Sequence, residues 1–226
     1  MKKTALMSLA ILSLISFAFT PPNTTPTANK DKDKAATKLL KEVSKKYKSY
    51  KTLKAEFSVS TEASDPKSPA KKAEKGTLMS KGSNFKLIFG GQEIFCNGKY
   101  IWTYTKDMNE CVKDNYNPNS NGGINPSKIF TIWEKGFLYA SDGTNKNNAK
   151  IKLTPTDKTK PYFLMNLEVD QTTKTVQNLK VSYKAGHKQI YTIISQTPNT
   201  AMDDKLFVFD PAAYPGVEMI DLTKKK

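Results

Sequence analysis

Apolar residues fall at spacings of three and four over Ala36, Leu39, Leu40, Val43, Tyr47 and Tyr50, which puts them on one face of a helix. The rhythm then changes. Ala55, Phe57 and Val59 alternate with Glu56, Ser58 and Ser60, the period of two that a strand with one buried side requires. The alternation recurs in Phe85, Leu87 and Phe89; in Tyr100, Trp102 and Tyr104; in Phe163, Met165, Leu167 and Val169; and in Leu179, Val181 and Tyr183. Repeated short strands after one helix predict an antiparallel sheet or barrel. One break interrupts them. Asn125-Pro126-Ser127, followed by Ile129, Phe130, Ile132 and Trp133, reads as a cap, a first-turn proline and a second amphipathic helix that ends near Gly136. Such a helix has two readings, a lid over one mouth of a curved sheet or an ordinary crossover packed on the core.

Ahead of the first helix, Lys2 and Lys3 precede an apolar run from Ala5 to Phe19. That run is short of the roughly 20 residues a spanning helix needs. With Ser16 and Ala18 as small residues, it predicts a cleavable export leader over 1–18, cut after Ala18. No cysteine follows to carry a diacylglycerol anchor, so a soluble exported protein is expected. Residues 19–34 hold three prolines and no large apolar residue beyond Phe19, a composition that predicts a disordered linker. Residues 35–226 then form one domain, long enough for a core.

The formal net charge is +15, and loss of the two leader lysines lowers it to +13. All 36 basic residues are lysine. Without the arginine fork, and with lysines spread along the chain, nucleic acid is not the expected partner. A solvated lysine face, with weak attraction to anionic headgroups, fits better. Two cysteines in an exported protein invite a disulfide. Here Asn97-Gly98 predicts a two-residue hairpin pairing Cys96 with Lys99 and Phe95 with Tyr100. With a turn over residues 106–109, Cys111 lies opposite Tyr104, about 10 Å from Cys96, beyond the roughly 7 Å a bridge tolerates. Two free thiols are expected. His187, the single histidine, lies in a turn, and Asp203-Asp204 reads as another turn. No catalytic triad, metal cluster or phosphate loop is recognisable, so no enzyme, metal or cofactor is expected.

The ordered landmarks carry more than any one motif. They are Leu53-Lys54-Ala55-Glu56-Phe57, Gly76-Thr77-Leu78, Phe85-Lys86-Leu87, Asn97-Gly98-Lys99, Trp102-Thr103-Tyr104, the Asn125-Pro126 helix, Ile151-Lys152-Leu153-Thr154-Pro155, Phe207-Val208-Phe209 and Pro215-Gly216-Val217. In this order, from about Ala36 to Leu222, the chain resembles the LolA-type outer-membrane lipoprotein carriers. The resemblance implies an open, incomplete antiparallel β-barrel covered by helices on its concave side. It further implies a soluble periplasmic carrier, a monomer, that takes acylated lipoproteins from an inner-membrane lipoprotein-releasing transporter to an outer-membrane acceptor. A sensor module of the same fold, binding lipid or lipoprotein, is the alternative.

The acyl cavity implied by the resemblance would be lined by Leu40, Val43, Phe57, Val59, Leu78, Phe85 and Leu87 from the first half of the chain. Phe89, Trp102, Tyr104, Ile129, Phe130 and Trp133 would complete it. Taken singly, each such residue is more often core than ligand site. In the family, an arginine ahead of the strand holding Phe85 bonds the lid backbone; here Lys81 is the nearest substitute, in a segment one residue shorter. Lys81 is read as a weaker latch or as an exposed turn lysine.

Overall fold

The structure, a computed structural model, describes residues 33–63, 72–118 and 125–224. The leader 1–18 lies outside the described residues, as does the linker up to residue 32. The linker's last two residues, Asp33 and Lys34, belong to the folded domain. Asp33 caps helix α1 (Lys34–Ser49), its carboxylate accepting from the backbone of Ala35 and Ala36 at 3.0 and 3.3 Å. Its other oxygen accepts from Ser141 N at 3.0 Å, so one side chain ties the start of α1 to a strand. These bonds hold its carboxyl below the usual carboxylate range. The helix buries Ala36, Leu40, Val43, Ser44 and Tyr47 and stops where Tyr50 turns extended.

Twelve strands follow: β1 (Leu53–Glu62), β2 (Glu74–Lys81), β3 (Asn84–Phe89), β4 (Gln92–Cys96), β5 (Tyr100–Thr105) and β6 (Glu110–Asn115), then β7 (Phe137–Asn145), β8 (Asn148–Pro155), β9 (Tyr162–Asp170), β10 (Thr175–Tyr183), β11 (Lys188–Pro198) and β12 (Glu218–Asp221). They form one curved, unclosed sheet in the order β12-β6-β5-β4-β3-β2-β1-β11-β10-β9-β8-β7. Neighbours are antiparallel except β12, which lies parallel to β6. The closing long-range pair is β1 with β11, which joins two meanders into one surface.

Alternation along the strands separates two apolar clusters. The larger contains α1, Phe130 and Trp133 together with Leu53, Ala55, Leu78, Phe85 and Cys96, and the aliphatic set Ile151, Leu153, Met165, Leu167, Val169, Leu179 and Val181. The smaller contains Phe95, Trp102, Tyr104, Cys111 and Phe209, with Tyr214 and Val217 against it. The register explains the division. Leu87 pairs with Ile94 and Ile94 with Thr103, whereas Phe95 pairs with Trp102 and Tyr104 with Cys111. Trp102 and Tyr104 therefore point away from the helices, and the segment after β11 folds back to cover them.

Three sequence expectations need correction. The β4–β5 turn is centred one residue later than expected. Asn97 pairs with Tyr100 (N to O, 3.2 Å), Cys96 faces Ile101 and Phe95 faces Trp102. Gly98 carries the positive φ of +81° that the turn demands, while the Asn97 carboxamide oxygen accepts from Lys99 N and Tyr100 N. Phe163 does not share the face of Met165. The β9–β10 register slips between Ser182 and Tyr183, so that Tyr162 turns inward and Phe163 is exposed. The second helix is 3-10 rather than α over Pro126–Glu134, and it is broken at Thr131 (φ −141°).

Both thiols are free and buried, on opposite faces of the sheet, with Cys111 opposite Tyr104 as expected. Burial pushes the Cys111 thiol up to about 11 and raises that of Cys96.

Tyr47 ties α1 to the sheet. Its hydroxyl donates to Gln196 Oε1 at 2.5 Å and accepts from Val176 N at 3.0 Å, while Gln196 Nε2 donates to Val176 O at 2.8 Å. This triangle satisfies polar groups that would otherwise be buried bare between α1, β10 and β11.

Two outcomes follow for stability and reactivity. Tyr47→Phe keeps the ring but strands the Val176 N–H, and urea unfolding should show a loss of about 1–3 kcal/mol. At neutral pH neither thiol should react with iodoacetamide in the folded protein, and both should react in denaturant. Rapid labelling of the native chain, or a mass two hydrogens short, would contradict the buried free thiols.

Candidate functional site

The loosest part of the larger cluster lies where β1, β2, β3 and β11 meet the first half of the 3-10 segment. A cavity of about 140 Å³ opens there, lined by Ala55, Phe57, Leu78, Leu87, Phe89, Pro126, Ile129, Phe130, Tyr191 and Ile193. Nine of these ten carry no polar side-chain atom, and Tyr191 directs its hydroxyl to Gln189 Oε1 at 2.7 Å. The lining is predominantly carbon. Such a space stays dry and accepts an apolar guest; roughly 150 Å³ suffices for a benzene-sized molecule.

Alternation supplies the walls. Phe57 follows Ala55 by two on β1, and their partners on β2 are Gly76 and Leu78. Leu78 pairs in turn with Leu87 on β3. Gly76 has a specific task. A Cβ placed there would come within 2.5 Å of the Phe57 ring, so the missing side chain leaves the ring room to lie back against β2. Phe57 and Phe89 then face each other with centroids 5.9 Å apart.

The cover is held at its two ends by different means. Phe130 stacks on Tyr47, centroids 4.8 Å apart and planes 13° from parallel. Past the break at Thr131, Trp133 is buried and its indole N–H is shared between Ser44 Oγ at 2.9 Å and Leu40 O at 3.3 Å. Trp133 is thereby bolted to α1. The Phe130 side chain makes apolar contact, and the start of its segment is tied by Asn125 Nδ2, which donates to the Tyr116 hydroxyl at 2.8 Å and to Pro118 O at 3.3 Å.

Of the thirteen residues read from sequence as cavity lining, Phe57, Leu78, Leu87, Phe89, Ile129 and Phe130 meet in this cavity. Leu40, Val43, Phe85 and Trp133 belong to the same cluster and are buried outside this cavity, Leu40 and Trp133 at the floor of a separate surface groove. Val59 lies on the same face, farther along β1, and is buried. Trp102 and Tyr104 are on the other face, so the site is drawn without them. Sequence reading missed Ala55, Pro126, Tyr191 and Ile193. In β11 apolar residues occupy both parities (Ile190, Tyr191, Ile193, Ile194), and a bulge opposite Glu56/Phe57 leaves Ile194 exposed, so alternation could not choose a face.

Lys81 is placed away from the cover. It follows Ser80 on β2 and points to the opposite side, where its amine donates to Asp204 Oδ1 at 2.8 Å and Met202 O at 3.3 Å. It fastens the segment after β11. Asp203 caps the 3-10 turn there through Lys205 N, and His187 stacks on Tyr183 in the β10–β11 turn.

Among the described residues no helix is long and apolar enough to cross a membrane. The fold is shared with an uncharacterized conserved protein from Thermus thermophilus at 9% identity and a TM-score of 0.54, covering 83% of this chain and 99% of that one. A LolA superfamily protein from Nitrosomonas europaea is similar at 13% identity and 0.44, covering 77% and 97%. LprF from Mycobacterium bovis is similar at 11% identity and 0.44, covering 76% and 98%. No curated protein sequence matches. The sequence profile described as outer membrane lipoprotein carrier protein LolA matches residues 48–210, from the end of α1 to just past Phe209 of the second cluster, and the chain belongs to that family.

Proposed function

We propose that the chain is an exported carrier that shields the acyl chains of lipoproteins in the space between β1–β3, β11 and the Pro126–Phe130 cover. The observation that carries this reading is the predominantly apolar lining of the cavity, in a member of a family described as lipoprotein carriers. The leader over 1–18 directs the chain to the periplasm and is removed there. The helices cover the concave side of the sheet. An inner-membrane releasing transporter loads the carrier, an outer-membrane acceptor unloads it, and the monomer performs no chemistry on its cargo.

The energetics define the task. Each buried methylene is worth about 0.8 kcal/mol, so a chain of about 15 methylenes represents roughly 12 kcal/mol of transfer free energy. The carrier must offer comparable apolar surface and still release its load. At about 140 Å³ the cavity is smaller than the roughly 300–1,000 Å³ of most ligand pockets. The space grows when Phe130 leaves Tyr47. Phe130 also lines the neighbouring hollow of about 280 Å³, with Tyr50, Leu53 and Ser80, so its displacement joins the two. Trp133 stays fixed to α1 and supplies the hinge with a firm side.

Two expected outcomes test this. The purified chain should extract a triacylated lipoprotein from inner-membrane vesicles into a soluble complex. Leu87→Asp, which puts a charge among the lining carbons, should reduce extraction at least tenfold, whereas Tyr104→Phe, on the other face, should leave it unchanged. Equal extraction by Leu87→Asp and the parent, with folding verified by circular dichroism, would remove the cavity from the mechanism. Gly76→Ala should drive the Phe57 ring into the cavity and weaken binding of a fluorescent acyl probe several-fold. An unchanged probe affinity would show that the Phe57 wall is not part of the site.

A further inference from the structure

The exposed side of α1 is a file of lysines. Lys34, Lys38, Lys41, Lys45 and Lys48 recur at alternating spacings of four and three and are all exposed. At about 1.5 Å per residue they run for about 21 Å along one face. Ordinary solvated helix faces interleave acids with bases, because i, i+4 pairs of opposite sign stabilise and pairs of like sign destabilise by a few tenths of a kcal/mol. Along this file the neighbours are of like sign. Within the described residues, the ion pairs made by α1 are Lys48 with Glu134 at 2.6 Å and Glu42 with Lys174 at 2.9 Å. Glu42 lies one turn beyond Lys38 and feels its charge, but its carboxylate is taken up by Lys174. Neither ion pair uses Lys34, Lys38, Lys41 or Lys45.

The N-terminal end of a helix favours acids, and here the Asp33 cap alone serves it, since the first turn inside the helix holds none and begins with Lys34. A file of like charge with so few partners among the described residues is expected where an external anion supplies the rest. Its position adds a second observation. Lys41, Lys45 and Lys48 border a groove shared with Trp133 and Glu134 of the cover. Lys48 also borders the hollow beyond Phe130 and, with Lys128 and Lys135, a further groove along Thr131 and Ile132. The basic face and the cavity's cover are thus one continuous side of the domain.

We propose that this face is a docking surface for the anionic headgroups of a membrane, which lays the cover against the lipid. Lysine suits that partner. Its compact, strongly hydrated charge interacts with a diffuse layer of headgroups without the planar register that arginine brings to carboxylates and phosphates in a fixed pocket. The helix uses its apolar side for the core, so attachment is electrostatic and reversible, as a shuttle needs. An acidic protein surface is the competing partner, and the experiment separates the two.

Chain recovered from the exported fraction of expressing cells is mixed with vesicles of phosphatidylglycerol in phosphatidylcholine, with no lipoprotein present, and binding is read by co-sedimentation. Each lysine near an anionic surface is worth roughly fivefold, so Lys38→Gln, Lys41→Gln and Lys45→Gln together should weaken binding about a hundredfold. A control with Lys75→Gln, Lys106→Gln and Lys205→Gln carries the same net charge and should bind nearly as well as the parent. Binding should fall steeply as added salt shortens the screening length. Equal losses in both triple variants would reduce the effect to net charge and overturn the proposal, as would equal binding to pure phosphatidylcholine. Absence of vesicle binding at low salt would also overturn it and assign the file to an acidic protein. Acyl extraction is not read in this experiment, so its failure leaves the carrier reading standing.

Discussion

A sheet of twelve strands whose edges β7 and β12 never pair leaves an apolar face that something else must cover. In this protein that cover is α1 with the Pro126–Glu134 segment, and both depend on Tyr47. Its hydroxyl closes a hydrogen-bonded triangle with Gln196 and Val176, and its ring is the platform for Phe130. One residue therefore positions the helix on β10 and β11 and also sets where the loosely held half of the cover rests. Buried polar atoms have few alternative partners, so the triangle specifies the register of α1 more sharply than aliphatic packing does.

The covered face is not uniform. Under α1, Ile151, Leu153, Met165, Leu167, Val169 and Val181 are sealed and packed as a core. Under Pro126–Phe130 several of the side chains, among them Phe57, Leu87, Phe89 and Ile193, are only half-buried, and a hollow remains. The cover changes character at the same boundary. Trp133 is hydrogen-bonded to the helix, while Phe130 rests on Tyr47 by ring contact over the hollow, with the break at Thr131 between them. The opposite face, closed by Phe209, Tyr214 and Val217, takes no part in this division.

Charge follows a comparable logic. Some lysines answer to an internal partner: Lys81 with Asp204 fastens the segment after β11 to the outer side of the sheet, and Lys86 with Glu93 bridges β3 and β4 beneath it. Tyr214 adds to the same contact by donating to Glu93; burial raises the pKa of its hydroxyl, and the bond to the carboxylate raises it further. Lys34, Lys38, Lys41 and Lys45 along α1 make no such ion pair among the described residues and lie on the side of the cover.

Local chemistry is what the sequence by itself determined. The 3.6-residue period of α1 and the two-residue period of β1, β3 and β10 arise within single elements, from each residue's own backbone geometry, and were legible there. The pairing of Cys111 with Tyr104 was legible for the same reason, since one short turn decides it. Order along the chain also carried the family, because landmarks from Leu53 to Val217 keep their sequence without needing coordinates. Tertiary structure alone decided which face each alternation serves. Tyr100, Trp102 and Tyr104 repeat with the same period as Phe85, Leu87 and Phe89, yet they lie on opposite sides of one sheet, because a face is defined only by register with neighbouring strands. Bulges shifted Phe163 and Ile194 outward by the same mechanism. The cavity is the clearest case. Hollow and core are lined by the same residue types, and only the distance between the sheet and its cover distinguishes them.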